Sequence, residues 1–343
     1  MKICLIIVFN HRYDKNLEKL REIYRDKFDN IKFLVPFYDG KDADVFPVFE
    51  SSHYFQGYFA QAYSYISDDS FDHYIFIADD ILLNPQINQN NILNELGVGQ
   101  HDGYITSCES LCDFSIYWPN TIDALERLDA STGVNYRELL PHIDVANNAF
   151  TSKGIYNVEI NNSNLLRNNR IQPFQFSRAL SHILDRSWSK SKLLNRITSK
   201  AIKLCFKSAA INAKLEIALN IVIKHNILKL GYKLSYPLAA GYSDFIIIPK
   251  KSIQNFCYIS GIFSSIKLFV EVAIPTAMVL TCDKILAEAN SKSALKCKLL
   301  WDSNSITDME REYNCDLNKL LECFPGKTSF VHPVKLSKWS YNQ

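Results

Sequence analysis

Tyr74-Ile75-Phe76-Ile77-Ala78-Asp79-Asp80-Ile81-Leu82-Leu83-Asn84-Pro85 is the stretch from which the fold can be read. Four apolar, β-prone residues run through Ala78 into two adjacent aspartates, and Asn84-Pro85 closes the segment. A continuous apolar run bounded by polar and turn residues reads as a strand buried on both faces, as in a parallel sheet. Ligands of open α/β sheets bind beyond the carboxyl ends of the strands. Asp79 and Asp80 fall at that position. Paired carboxylates there can hold a hard divalent cation and, through it, a diphosphate. The plain alternative is that one caps the next element and the other is solvated.

The preceding chain supplies partners for this strand. Lys2–Phe9 is a first buried strand, left through the loop Asn10–Tyr13. Leu17, Leu20, Ile23, Tyr24 and Phe28 recur at helical spacing among charges, which predicts an amphipathic helix over 14–28. Ile31–Phe37 is a second strand ending at Tyr38-Asp39-Gly40, and the aromatic segment 54–66 reads as a helix despite Gly57. Strand–helix–strand–helix–strand predicts an α/β fold, with a mixed, mainly parallel sheet and helices on both faces. Asn10, Asp39 and Asp79 would then share one sheet edge.

Further along, 103–108 reads as a strand, 121–128 and 136–140 as short helices, and 161–169 as a loop. Phe245–Ile248 is again a strand, with Ser252 placed to cap a helix after it. Residues 266–289 read as a helix interrupted at Pro275, and a polar helix is expected within 301–324. No repeat or low-complexity tract breaks the chain. The expected organisation is therefore one domain over 1–343 with a helical insertion at 178–235.

Composition narrows the class. The 343 residues are 47% hydrophobic and 22% charged, which fits a globular chain rather than a disordered one. A net charge of +2 gives no reason to expect nucleic acid as a partner. Residues 186–233 nonetheless carry eleven Lys/Arg against one acid, Glu216. That basic helical stretch is either a solvated face or a peripheral contact with anionic membrane, where each cation contributes about 1 kcal/mol. Nine cysteines without a C-x-x-C pair suit free thiols in a reducing cytoplasm. No apolar segment reaches the roughly 18 residues of a membrane span.

Near the end of the chain, Phe330-Val331-His332-Pro333-Val334-Lys335 follows a short apolar run. His332 with Asp79 and Asp80 would make a mixed oxygen and nitrogen site suited to Mn2+ or Mg2+. Lys335 could neutralise a departing diphosphate. Alone, His332 reads as a structural imidazole.

These motifs together resemble the GT-A superfamily of nucleotide-sugar-dependent glycosyltransferases, particularly bacterial enzymes that build surface polysaccharides such as O-antigen and capsule. The resemblance covers a nucleotide-sugar-binding half at 1–110 and an acceptor-side half at 236–343. It implies Asp80 as principal metal ligand, Asp79 on the ribose or sharing the metal, and His332 as a further ligand. It also implies Lys335 on the diphosphate and Asn10 and Asp39 facing base and ribose. Ala78 stands where the family's motif often has an acid. Asp244 in Gly241-Tyr242-Ser243-Asp244 and Glu271 in the apolar run 268–273 look like acceptor-side, catalytic carboxylates. The implied reaction moves a sugar from a nucleotide diphosphate sugar donor to a glycan or lipid-linked glycan acceptor, in the cytoplasm or at the inner face of the plasma membrane. The rival readings are another nucleotide- or phosphate-handling enzyme, such as a nucleotidyltransferase or phosphoesterase, and a non-catalytic adaptor binding a membrane or partner.

Overall fold

In a computed structural model, which describes residues 1–112, 124, 127, 135–156 and 234–341, the apolar runs become strands of one sheet. Along the first part of the chain these are β1 (Ile3–Val8), β2 (Ile31–Pro36), β3 (Val45–Val48) and β4 (His73–Ala78). A two-residue β5 (Leu82–Leu83) precedes β6 (Asp102–Ile105), and β7 (Phe245–Pro249) and β8 (Lys284–Ala287) follow much later. Seven of them form a sheet in the order β8-β6-β7-β4-β1-β2-β3. Pairing is parallel except at β7, which runs against both β4 and β6. The architecture is thus mixed α/β around a large, mostly parallel sheet.

Both faces are covered, which is why β1 and β4 are buried throughout. On one face α1 (Lys15–Tyr24) sends Leu17, Leu20, Ile23 and Tyr24 into a core with Ile3, Leu5, Ile7, Ile75 and Ile77. On the other, α2 (Gln56–Ile66) and a long helix, Lys250–Ser265, bring Phe59 and Phe256 onto Phe76. Ring centroids lie 4.5 Å apart for Phe59–Phe76 and 5.6 Å for Phe59–Phe256. Gly57 suits this packing, because a Cβ there would sit 2.4 Å from Ser264 Oγ.

Several sequence expectations change. β3 has no counterpart in the sequence reading; Pro47 disguises it, and its place at the sheet's edge is where a strand tolerates proline. Residues 136–138 form a single 3-10 turn, and α3 (Ile143–Ser152) follows. The helix α4 (Lys250–Ser265) begins ahead of Ser252, whose hydroxyl instead donates to Thr281 O at 2.9 Å. The expected helix over 266–289 is shorter. Only α5 (Val270–Thr281) is helical, and β8 takes 284–287.

Pro275 lies inside α5 without interrupting it. A proline lacks the N–H that would bond the carbonyl one turn back, here that of Glu271. The freed Glu271 carbonyl accepts from Gly241 N at 3.0 Å. The helix therefore loses one internal bond and gains a tie to the loop before β7.

A second, three-stranded sheet joins β9 (Lys296–Leu299), β10 (Thr328–His332) and β5. β5 and β10 pair antiparallel, with Leu82 opposite Val331 and Leu83 opposite Phe330. Through this pairing the end of the chain is fastened beside the Asp79-Asp80 turn. The expected polar helix appears as α6 (Ser303–Glu312) and α7 (Leu317–Glu322), each capped by the aspartate ahead of it.

The chain divides into two compact units, 1–109 with 131–155 and 239–343, and 110–130 with 156–238. All the elements named above belong to the first. Residues 178–233 of the expected insertion, with the whole basic stretch 186–233, the loop expected at 161–169 and most of 121–128 lie outside the described residues. Among the described residues, no helix is long and apolar enough to cross a membrane. Eight described cysteines are free thiols, with Cys4, Cys112, Cys257 and Cys282 buried.

His73, the first residue of β4, is fully buried, and neither ring nitrogen makes an aligned hydrogen bond. Burial lowers its pKa from 6.5, with the Gly99 backbone pulling more weakly the other way. The unfolded chain takes up this proton below about pH 6.5 and the folded chain does not, so stability is lost as pH falls through that range. His73→Phe is expected to flatten the slope of unfolding free energy between about pH 6.5 and pH 5, read by urea titration. An unchanged slope would remove His73 from this role.

Candidate functional site

β4 stops at Ala78 because the next peptides leave the ladder in a turn. Ala78 N donates to Asp244 O at 2.9 Å, Asp79 N to Val8 O at 2.9 Å, and Ile81 N closes the turn on Ala78 O at 3.0 Å. The ends of β1 and β4 and the start of the antiparallel β7 therefore meet at one edge. Asp244, just before β7, reaches the edge from the opposite chain direction.

His332 arrives from β10 and is fixed by its own main chain. Its carbonyl accepts from Leu300 N at 2.8 Å, while Val334 N donates to Asp80 O at 2.7 Å. The imidazole Nε2 then lies 3.1 Å from Asp80 Oδ1 and 3.8 Å from Asp244 Oδ2. The nearer contact is ionic rather than an aligned hydrogen bond, since Asp80 Oδ1 has no well-directed donor. Asp80, Asp244 and His332 are each partly open to solvent, with side-chain exposures of 24%, 15% and 14%.

Electrostatics follow from this crowding. Burial alone would lower the His332 pKa, but the close side-chain contact with Asp80, then the charges of Asp244, Asp80 and Asp79, outweigh it and raise the pKa above its ordinary value. Asp244 is raised by burial and by Asp80, against the pull of His332. Asp79 is buried, and that burial, followed by repulsion from Asp80, pushes it up to about 7. The site sets an imidazole among carboxylates that favour its protonated form, an arrangement in which a group can exchange protons.

The remaining sequence-derived residues divide. Asp79 Oδ1 accepts from Asn10 N at 3.1 Å, so these two meet as expected, with the carboxylate ordering the loop after β1. Glu271 is buried in the first turn of α5 and accepts from Ser243 N at 2.8 Å; burial, then the charge of Asp244, raises its pKa well above normal. It supports the loop that carries Asp244. Asp39 is exposed and pairs with Arg12, whose Nη1 is 3.2 Å from Asp39 Oδ2. Lys335 is exposed ahead of a one-turn helix, Leu336–Lys338. That turn is tied to α1 by Lys19 Nζ, which donates to Leu336 O and Trp339 O at 3.0 and 2.8 Å.

Sequence reasoning missed Tyr242, Trp301 and Arg12. The Tyr242 ring is buried edge-on against His332 and Trp301, at centroid distances of 5.5 and 5.7 Å. Its place between Gly241 and Asp244 was the one available signal. Trp301 belongs to no motif and offered none; its role depends on β9 ending beside β10.

A divalent cation can be tested against these groups. Among the described residues, no three or more His, Cys, Asp or Glu side chains already converge as a cation cage. Mg2+ and Mn2+ sites commonly use one or two carboxylates and complete their shell with substrate phosphates and water. The buried Asp80 Oδ1 lacking a directed donor, with His332 Nε2 beside it, fits that kind of partial site. Comparison of the chain with protein families, with curated proteins and with solved structures finds no match.

Proposed function

We propose that the chain is a glycosyltransferase of GT-A-like fold, transferring a sugar from a nucleotide diphosphate sugar to a glycan or lipid-linked glycan acceptor. The observation that carries the reading is the meeting of Asp80, His332 and Asp244 at the sheet edge where Asp79 orders the loop after β1. A nucleotide is expected at the carboxyl ends of β1 and β2, and its diphosphate beside Asp80. There Asn10 and Asp39, with Arg12 beside it, face base and ribose, and Lys335 meets the diphosphate.

Asp80 and His332 would hold Mn2+ or Mg2+, which when bound offsets the charge of the departing diphosphate. In the transfer, the bond from the sugar's anomeric carbon to the diphosphate oxygen breaks and a bond to the acceptor oxygen forms. The acceptor hydroxyl loses its proton. Asp244 suits that proton better than Glu271 does, because it is partly open to solvent while Glu271 is buried on Ser243 N. Glu271 then positions the 241–244 loop, and Tyr242 keeps one side of the imidazole dry.

A thermal-shift panel tests the reading with nucleoside diphosphates, nucleotide sugars and nucleoside triphosphates, each with and without Mn2+. One nucleotide sugar should raise the melting temperature by several degrees, more with the cation than without. A shift confined to triphosphates would favour the nucleotidyltransferase reading. No shift with any nucleotide would sink both.

A further inference from the structure

Two exposed aromatic rings stand side by side at the carboxyl ends of β2 and β3, where the register of the sheet puts them. Pro36, the last residue of β2, lies opposite Val48, the last of β3, so Phe37 and Phe49 leave the sheet together. They are 58% and 64% exposed, with centroids 5.8 Å apart and planes at 76°. One exposed apolar side chain is ordinary, whereas a pair held open on a fixed frame marks a binding surface. Phe37 N donates to Val48 O at 2.9 Å, and its carbonyl accepts from Arg12 Nη1 at 3.0 Å. Phe49 N donates to Gln61 Oε1 of α2 at 2.8 Å. Phe37 also has a φ of 55°, the left-handed region in which a bulky residue is an outlier. The loop after β2 therefore holds this ring at the surface against a conformational cost, the kind of outlier that points to function.

The pair has a ligand chemistry. Two rings at 76° make a corner, in which a flat ligand lies on one ring and meets the other with its edge. Nucleobases have that shape and stack on aromatic side chains with little regard to base identity. Arg12 holds the neighbouring Asp39 carboxyl below its ordinary pKa, so at neutral pH it accepts hydrogen bonds, as from ribose hydroxyls. Asp14 and Asp39 share Arg12, and Asp42 and Asp44 share Arg21, so with Lys41 counted the acids still outnumber the cations. That balance disfavours an anionic lipid surface and directs phosphates away from the corner. Adjacent strands lie about 4.8 Å apart, so β2 and β3 end roughly 10–14 Å from the end of β4. A nucleotide with its base in the corner then extends along the sheet edge toward Asp80.

We infer that Phe37 and Phe49 form the corner on which the nucleobase of the donor stacks, with Asp39 on its ribose. The inference rests on the proposed nucleotide-sugar reading for its ligand, but the stacking itself does not require catalysis. The rings supply affinity for the base and leave the phosphates to the groups around Asp80.

Calorimetry on the full chain tests it with UDP, GDP, CDP and ADP, and with pyrophosphate as a probe that has no base, each with Mn2+. Wild type should bind at least one nucleoside diphosphate more tightly than pyrophosphate. Phe49→Ala, and Phe37→Gly, which suits the left-handed backbone, should each weaken nucleotide binding about tenfold or more. Phe49→Tyr, which keeps a ring, should stay within about threefold, and pyrophosphate binding should not change in any variant. Both rings are exposed, so the variants should keep the melting temperature of wild type, and either one carries the test alone. Equal nucleotide binding by wild type and the folded variants would overturn the corner and leave the transferase reading standing. So would an equal loss of pyrophosphate binding, or a dimer of the chain that Phe49→Ala dissociates without loss of nucleotide. No nucleotide binding by wild type would overturn both. Nucleotide binding that depends on the rings, without turnover of any nucleotide sugar, would keep the corner and reject the transferase reading.

Discussion

Asp80→Ala is expected to lower sugar transfer by about a hundred- to a thousandfold, the usual cost of losing one group that stabilises transition-state charge. His332→Ala should act in the same range, because the two side chains are 3.1 Å apart and, in the proposed reading, would serve one diphosphate. The double variant should be little worse than either single one, as expected of groups that work as a unit. Neither change should unfold the protein. Asp80 is partly solvent-exposed, and its structural bond to Val334 N is made by the carbonyl, which alanine keeps. Removing Asp80 relieves repulsion on Asp79 and Asp244 but also takes away its attraction for His332, so the melting temperature should change little. Retained activity in Asp80→Ala would reject the site, whereas a large fall in melting temperature would recast Asp80 as structural.

Gly241→Ala is expected to cost about 3 kcal/mol or more of folding free energy, at the upper end for an overpacked site. A Cβ at 241 would lie 1.9 Å from Ser107 O and 2.8 Å from Ser107 C, both backbone atoms that cannot swing aside. The loop is held by hydrogen bonds to Ser107 and to Glu271 as well. Gly241 N donates to Glu271 O, Tyr242 N to Ser107 Oγ at 2.9 Å, and Ser243 N to Glu271 Oε2. Relief of the clash must therefore move Tyr242 and Asp244, and activity should fall together with stability. The urea midpoint of the purified variant measures the first effect. A variant within about 0.5 kcal/mol of wild type, the range of ordinary surface changes, would mean that the 107 and 241 backbones are not in contact.

The parts of the fold that were legible in the sequence are those where local pattern and burial agree. The runs at 3–8, 31–36 and 73–78 are largely apolar because helices cover both sheet faces, so composition alone marks them. β3 and β9 escaped because Val45-Phe46-Pro47-Val48 and Lys296-Cys297-Lys298-Leu299 are short and partly exposed edge pieces, with mixed residues. Pro275 misled for a physical reason: the carbonyl it frees finds its partner far back in the chain, at Gly241, which no local reading contains.

The site divides along the same line. Asp79 and Asp80 were visible as a strand end, and His332 as an imidazole after an apolar run. That His332 reaches Asp80 depends on the antiparallel pairing of β5 with β10, which are remote from each other in sequence, and on the Val334–Asp80 bond. Glu271 was singled out because a carboxylate in an apolar helix face needs a partner, and Ser243 N is that partner. Tyr242 and Trp301 carry no such mark. Their ring contacts join segments remote from each other in sequence.

The central claim is that this cluster serves transfer from a nucleotide diphosphate sugar, and the identity of the released nucleotide tests it most directly. The full chain is incubated with the nucleotide sugar that gives the largest thermal shift, Mn2+ and a saccharide panel, and the products are read by mass spectrometry. The account predicts nucleoside diphosphate in equal amount to a glycosylated product, with both lost in Asp80→Ala. Nucleoside monophosphate, pyrophosphate or inorganic phosphate as the product, or the same turnover in wild type and Asp80→Ala, would contradict it.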